Sequence, residues 1–430
     1  MDMTESTQQL SGASCGRKAS VHSLLVIGAA VLLLGLVTAV YLNAGFLANW
    51  IRDAVGLWFS TITILQTLML LVNLVTIPLC SWLTLKFSDF KLFVTGYVFC
   101  TAGILGMFFF PGIAGLVIFY VLLFGFGSAV CGYAIALSVV LPIINEKHAG
   151  IAAAALISCG NIISLILFPI LQGVETELPA GQVFLILGII GLCFLPLIYY
   201  IFRRRKQAAD AVMEQKKNKA APISFRSIAK EIFTSRRFYL LCLLSFTFGL
   251  LVTAPSGNMV HTSEVYYGLS AGETSLFLSL YSLLYVVFGI LAGIFILKVR
   301  SKMLYAGVLF AIVALLHIGY FFDEPLALGM INLFIIAAFL GCINPSISLM
   351  TREWVGPVKF ATVYCLVYMM LRLGGIATIF LGGIWYAQFR DFMVPFTLEE
   401  ILIAAAAVLA LIAAVREIRR KKAEAAGQKA

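Results

Sequence analysis

The chain has 430 residues, of which 62% are hydrophobic and 12% charged, and its mean hydropathy is +1.02. The apolar share is far above that of ordinary soluble domains and the charged share is far below it, which excludes a soluble globular protein and predicts an integral membrane protein. The formal net charge of +10 suits a nucleic-acid partner only if the basic residues lie away from the membrane surface.

The N-terminal segment, residues 1–21, is polar, and the apolar stretch that follows it is too long for the core of a signal peptide. We therefore expect this segment to be retained as a tail.

Apolar stretches of about 20 residues, long enough to cross the hydrocarbon core, recur along the whole chain. They are residues 22–47, 58–85, 92–110, 114–141, 149–171, 182–202, 238–262, 274–297, 303–322, 326–350, 361–387 and 396–415, here called spans 1 to 12. The pattern predicts an all-α membrane protein with twelve transmembrane helices.

A long polar stretch, residues 203–237, falls near the midpoint of the chain. It separates an N-terminal six-helix bundle over residues 22–202 from a C-terminal bundle over residues 238–415, and a basic tail over residues 416–430 follows. We interpret the stretch as a basic cytoplasmic linker. Its first part is expected to be mobile, and residues 223–233 are expected to form a helix on the membrane surface.

The two halves resemble each other in sequence. SWLTLK at residues 81–86, after span 2, and GIFILK at residues 293–298, after span 8, lie 212 residues apart. This duplication predicts two pseudo-symmetric bundles that enclose a site at their interface, near the bilayer midplane.

The positions of the basic residues predict the orientation. With a cytoplasmic N-terminus, 27 of the 30 Lys and Arg residues fall on the cytoplasmic side, Arg52 and Arg390 fall outside, and Arg372 lies within span 11. Cytoplasmic loops of membrane proteins are rich in Lys and Arg. We therefore expect both termini to be cytoplasmic, in a plasma membrane or, in a bacterium, the inner membrane. The basic excess belongs to the membrane surface, so nucleic-acid binding is not supported.

Arg372 is the main candidate for substrate binding. It lies about 16 Å along the helix from Ala361, where an arginine costs roughly 2.5–3.5 kcal/mol on insertion scales. No Asp or Glu occurs deep inside a span, so we expect no protein counter-ion. A carboxylate matches guanidinium with two parallel hydrogen bonds, which favours an anionic substrate. The alternative is a structural arginine held by backbone carbonyls and water.

Tyrosines accompany this arginine. Tyr364 and Tyr368 precede Arg372 by eight and four residues and share its helical face, where they either orient a carboxylate or pack on a neighbouring helix. Four tyrosines of spans 1, 4 and 8 are candidates to complete an aromatic cage: Tyr41, Tyr133, Tyr281 and Tyr285.

Interior Asn, Gln and Arg residues lie in spans 1, 2, 5, 7, 10 and 11, whereas spans 3, 6, 9 and 12 contain none. Asn161 and Asn258 are further candidate substrate ligands. His261 follows Pro255, which is expected to break the helix of span 7, and it is either a substrate ligand or an interfacial residue. His317 in span 9 is expected to be structural.

Four stretches together resemble the Major Facilitator Superfamily of transporters, and within it the monocarboxylate porter and oxalate/formate antiporter branch. They are GFGSAVCGYAIALSVVLPIINEKHAGIAAAALISCGNIISLILFPIL, TSRRFYLL, HTSEVYYGLSAGETSLFLSLYSLLYVVFGILAG and VGPVKFATVYCLVYMMLRLGG. The resemblance implies alternating access between two six-helix bundles, with spans 3, 6, 9 and 12 as outer supports.

The chain departs from that branch at several positions. Leu85 and Leu297 occupy positions where the family usually has an acidic residue, although Lys86 and Lys298 remain as candidate gating residues. Spans 1 and 8 lack the charged residues of the proton-coupled monocarboxylate transporters. Of the basic positions in the oxalate/formate pattern, only the one in span 11 is matched, by Arg372.

These features predict a secondary transporter that moves a small organic anion, above all a monocarboxylate. Exchange for another anion or facilitated diffusion is favoured over symport with a proton, because no carboxylate within the membrane is available as a proton carrier, although His261 or the substrate itself is an alternative carrier. An amino acid or other zwitterionic solute is the alternative. No HExxH, GxSxG or Walker A motif occurs, so we expect no enzyme activity. The nine cysteines are scattered without CxxC spacing, and we expect no cofactor or metal. The protein is expected to be a monomer in the lipid bilayer.

Overall fold

In the computed structural model, the residues described are 3–42, 51, 54–57, 59–144, 146–175, 179, 181–218, 225–257, 271–321, 326–389 and 393–427. All of the secondary-structure elements in these ranges are helices. The predicted all-α fold is therefore confirmed.

The N-terminal half contains spans 1 to 6. Its helices are Met3–Leu42 (span 1), Phe59–Lys86 (span 2), Asp89–Phe109 (span 3), Ile113–Gly115, Leu116–Phe124, Gly125–Val130 and Tyr133–Val140 (span 4), Ala149–Ile157 and Cys159–Glu175 (span 5), and Gln182–Asn218 (span 6). Span 4 is π-helical over Leu116–Phe124 and breaks before Tyr133. Span 5 bends by 51° between its two helices.

The C-terminal half contains spans 7 to 12. Its helices are Phe225–Phe233, Arg236–Gly257 (span 7), Ala271–Phe295 (span 8), Lys302–His317 (span 9), Leu326–Phe389 (spans 10 and 11) and Met393–Gly427 (span 12). Spans 10 and 11 meet at Gly356, whose φ of 73° lies in the left-handed region that favours glycine.

The twelve predicted spans can be matched to these helices. Nine described helices are long and apolar enough to cross a membrane, and the bent pair of span 5 makes ten. The segment Gly329–Thr378 has 50 residues, far more than one crossing needs, and the break at Gly356 divides it into two. Lys302–His317 is a shorter apolar helix and supplies span 9.

Two segments outside the predicted spans are also helical. The helix of span 1 begins at Met3, within the expected tail, and the helix of span 6 continues to Asn218. The expected linker is therefore helical up to Asn218, because its Ala, Arg, Lys, Gln and Glu residues are good helix formers that extend the apolar helix. A helix, Phe225–Phe233, is present where the sequence predicts a surface helix, and we call it the surface helix.

The surface helix is attached to the C-terminal half. Its Ile228 and Ile232 are buried, and Glu231 forms a 2.6 Å ion pair with Lys359 at the start of span 11. Lys359 marks the same end of the bundle as Lys86, after span 2, and Lys298, after span 8. We call this end of the helices the basic end.

The two halves touch at the basic end. A Cβ atom on Gly150 of span 5 would lie 1.9 Å from the carbonyl oxygen of Gly293 of span 8, so this crossing requires glycine. Ser81 of span 2 donates a 2.7 Å hydrogen bond to the carbonyl of Thr362 in span 11, and Thr84 lies 3.0 Å from the Thr362 hydroxyl. In this conformation the basic end of the interface is closed.

Span 11 also packs closely against span 7. A Cβ atom on Gly374 would lie 2.1 Å from the carbonyl oxygen of Phe246, and one on Gly249 would lie 2.0 Å from that of Leu371. Spans 7 and 11 therefore pack closely just beyond Arg372, and these contacts restrict the height and rotation of the helix that carries it.

Candidate functional site

Arg372 lies half-buried in span 11, with its guanidinium between two aromatic rings. Its Cζ atom is 4.1 Å from the centre of the Tyr41 ring of span 1 and 5.1 Å from that of Tyr368. Such cation–π contacts contribute about 0.5–2 kcal/mol each. The Nε atom is buried without a hydrogen-bond partner, and no described carboxylate forms an ion pair with the guanidinium. The group therefore retains donors that can bind an anion.

Three tyrosines form a layer beside the guanidinium. The ring of Tyr133 in span 4 lies 5.7 Å from those of both Tyr364 and Tyr368 in span 11, and all three side chains are buried. The Tyr133 hydroxyl donates to the carbonyl of Ala153 at 3.1 Å and lies 3.2 Å from Oγ of Ser348 in span 10. Because these contacts cross from one half to the other, the layer belongs to the interface.

The layer lies on the basic-end side of the arginine. Span 11 runs away from the basic end, so Arg372 is about 12 Å further along the axis than Tyr364. Tyr364 stacks on Phe360 at 5.2 Å as well as contacting Tyr133, and is therefore a packing residue in this conformation. Tyr368 borders the guanidinium directly. The arrangement gives a charged site whose floor, toward the basic end, is made of tyrosine rings.

Tyr285 of span 8 joins the same region. Its hydroxyl accepts a 2.6 Å hydrogen bond from Nδ2 of Asn344 in span 10, about one helical turn before Ser348, which contacts Tyr133. The Oδ1 atom of Asn344 and the hydroxyl of Tyr281 are buried without hydrogen-bond partners among the described residues. The sequence singled out neither Asn344 nor Ser348 as a site residue, although Asn344 is one of the interior amides.

Of the three remaining predicted ligands, only Asn161 lies within the described residues. Asn161 is half-buried in the second helix of span 5, and no hydrogen bond joins it to any described tyrosine. Asn258 and His261 lie outside the described residues.

The two candidate gating lysines contact aromatic rings of their own helical segments. The Nζ atom of Lys86 is 4.0 Å from the Trp82 ring, and that of Lys298 is 5.9 Å from the Phe295 ring. Within the described part of the chain, neither forms an ion pair across the interface. The basic end is closed instead by the approach of Gly150 to Gly293, here called the glycine crossing. The hydrogen bonds of Ser81 and Thr84 with Thr362 close it as well.

A second polar cluster lies in spans 9, 11 and 12. His317 is buried, with Nδ1 3.2 Å from Oε2 of Glu400 and Nε2 3.7 Å from Oε2 of Glu399. Thr378 of span 11 donates to Oε1 of Glu399, which is also buried. Glu399 is the fourth residue of span 12, near the end of that span, so it does not conflict with the expectation that no carboxylate lies deep inside a span. Polar groups of spans 9 and 11 cover and partner it.

Comparisons with known proteins agree with this architecture. The family model described as Major Facilitator Superfamily matches residues 24–266 and 257–430. No curated protein matches the sequence significantly.

Several solved structures have a similar fold. One is the proton:xylose symporter XylE, with 15% identity and a TM-score of 0.70 over 92% of this chain and 95% of that chain. Another is the human organic anion transporter MFSD10 (TETRAN), with 12% identity and a TM-score of 0.66 over 92% and 99%. A third is the E. coli fucose:proton symporter FucP, with 15% identity and a TM-score of 0.60 over 91% and 97%. At these identities the similarity establishes the twelve-helix, two-bundle fold alone.

Proposed function

The chain belongs to the Major Facilitator Superfamily, a family of secondary transporters, and on that premise we propose that it carries a small organic anion, most naturally a monocarboxylate. The observation that carries this proposal is the Arg372 guanidinium, which lies at the interface of the halves without a described carboxylate partner. Arg372 binds the substrate carboxylate through its planar fork of N–H donors.

The charge of the site favours a monoanion. One guanidinium compensates one carboxylate, whereas a second carboxylate would enter a region where the described neighbours are the neutral rings of Tyr41, Tyr368 and Tyr133. Removing that second charge from water costs several kcal/mol without a partner. Tyr41 and Tyr368 hold the guanidinium in place, and the tyrosine layer excludes water from the basic-end side.

The proposed transport cycle follows from the interface. Substrate binds at Arg372 while the glycine crossing of Gly150 with Gly293 keeps the basic end closed. The two bundles then rock about the bound anion, and the basic end opens. We propose that the basic end is the cytoplasmic face, with both termini on that side, because of the positive-inside distribution. A proton or a counter-transported anion completes the cycle.

Counterflow in proteoliposomes tests this proposal. Purified protein is reconstituted in vesicles loaded with an unlabelled solute, and uptake of the same labelled solute is compared across monocarboxylates, dicarboxylates, amino acids and neutral sugars. We expect counterflow with one or more monocarboxylates and none with sugars. Counterflow with sugars alone would overturn the proposal, and counterflow with amino acids alone would favour the zwitterionic alternative.

A further inference from the structure

A cavity of about 670 Å³ opens at the basic end among spans 7, 9 and 12. This volume is within the range of small-ligand sites. The cavity lies away from Arg372 and from the interface of the halves, because none of its lining residues belongs to the N-terminal half or to span 11. It is therefore not the proposed substrate site.

Four arginines converge on this cavity from two helices. Arg236 and Arg237 begin span 7, whereas Arg416 and Arg420 lie near the end of span 12. Glu417 is the acidic residue in the lining, so the formal charge of the lining is +3. Because guanidinium groups bind phosphate oxygens with paired hydrogen bonds, such a set matches a phosphate group.

On the side of the arginines that faces the membrane interior, the cavity wall is apolar and partly exposed. Leu409 is 47% exposed and Ile412 is 44% exposed, and Leu243 of span 7 and Met303 of span 9 complete this wall. Leu409 lies about 10 Å along the helix from Arg416, toward the membrane interior. In the bilayer this wall faces acyl chains, so a lipid whose phosphate lies among the arginines can extend an acyl chain along it.

We propose that this cavity binds an anionic phospholipid, whose phosphate lies among Arg236, Arg237, Arg416 and Arg420 and whose acyl chain lies against Leu243, Leu409 and Ile412. Basic pockets between transmembrane helices at the membrane surface suit anionic headgroups. The bound lipid bridges spans 7 and 12, and thereby stabilises the C-terminal bundle. This inference is independent of the proposed substrate.

Thermal unfolding of the full chain in detergent tests the site. Phosphatidylglycerol and phosphatidylcholine with identical acyl chains are added separately, and inorganic phosphate serves as the soluble probe. We expect phosphatidylglycerol to raise the unfolding midpoint, as a ligand of the folded state does, and the other two probes to have little effect. Equal shifts with both lipids, or a full shift with inorganic phosphate, would overturn the proposal.

Charge-matched variants separate the cavity from general surface attraction. The double variant Arg236→Gln with Arg416→Gln should weaken the apparent affinity for phosphatidylglycerol about 30-fold, since each arginine near the surface contributes about a factor of five. The control, Lys91→Gln with Arg300→Gln, removes the same charge at the same end outside the cavity and should retain the parent affinity. Equal losses in both double variants would contradict a specific site.

If the arginine variant does not fold, a variant of the apolar wall provides the test. Ile412→Trp fills the cavity, leaves the four arginines in place and changes a side chain that is already exposed. Native mass spectrometry should show less bound phosphatidylglycerol than in the parent protein. Unchanged lipid occupancy would contradict the proposed position of the acyl chain.

Discussion

The guanidinium carbon of Arg372 in span 11 lies 4.1 Å from the centre of the Tyr41 ring in span 1. A positive charge of the C-terminal half thus rests on an aromatic face of the N-terminal half. Any motion of one bundle against the other must change this contact. The contact therefore connects the charge that is proposed to bind substrate with the relative motion of the two bundles.

Substitutions of Tyr41 should distinguish the contribution of its ring to substrate binding from that of its hydroxyl. Tyr41→Phe keeps the face that holds the guanidinium, so the half-saturation concentration for counterflow should stay close to that of the parent. Tyr41→Leu removes a cation–π contact of about 0.5–2 kcal/mol, so the half-saturation concentration should rise by roughly 2- to 30-fold. Equal values for the two variants would show that the ring does not position Arg372.

The glycine crossing at the basic end gives a prediction about conformation. Gly150→Val places side-chain atoms against the carbonyl of Gly293, where a Cβ atom alone would lie 1.9 Å away, and should therefore favour opening of the basic end. The readout is labelling of a Ser81→Cys reporter by a thiol reagent, on a background without the native cysteines. Ser81 is fully buried in the closed interface.

Gly28 offers the matched control, because a Cβ atom at this position in span 1 meets nothing within 4 Å. Gly28→Val should label like the parent, whereas Gly150→Val should label faster. A folded Gly150→Val protein whose reporter remains protected would show that the crossing does not control closure.

The buried cluster around His317 should be electrostatically coupled. His317→Leu leaves Glu399 and Glu400 side by side without the imidazole, and breaking a buried pair costs about 3–5 kcal/mol. The partial exposure of Glu400 reduces that figure. We therefore expect a clear drop in the midpoint of thermal unfolding of the His317→Leu variant.

A double-mutant cycle identifies the source of that loss. His317→Leu combined with Glu399→Leu removes one of the two charges, so the double variant should be more stable than the sum of the single effects predicts. Strict additivity would mean that His317 and Glu399 do not interact.

The spans could be predicted from the sequence because a bilayer imposes a length and an apolar composition on each helix. The spacing of Tyr368 and Arg372, four residues apart, also placed them on one helical face, and the structure has their side chains in contact.

The long-range polar contacts could not be predicted in the same way. Nothing in the local pattern connects Tyr133 with Ser348, which are 215 positions apart, or His317 with Glu399. Such pairs depend on the relative rotation of helices that is set by tertiary packing. The helical extension of span 6 was missed for a different reason, since charge alone suggested a linker although its residues favour helix.

Binding of the transported anion to Arg372 variants tests the central claim most directly. Once counterflow has identified the anion, its dissociation constant is measured by isothermal titration for the parent, Arg372→Lys and Arg372→Ala in detergent. We expect Arg372→Ala to lose measurable binding and counterflow, and Arg372→Lys to bind more weakly because it keeps the charge without the planar fork. An Arg372→Ala protein that binds and transports the anion as well as the parent would contradict the account.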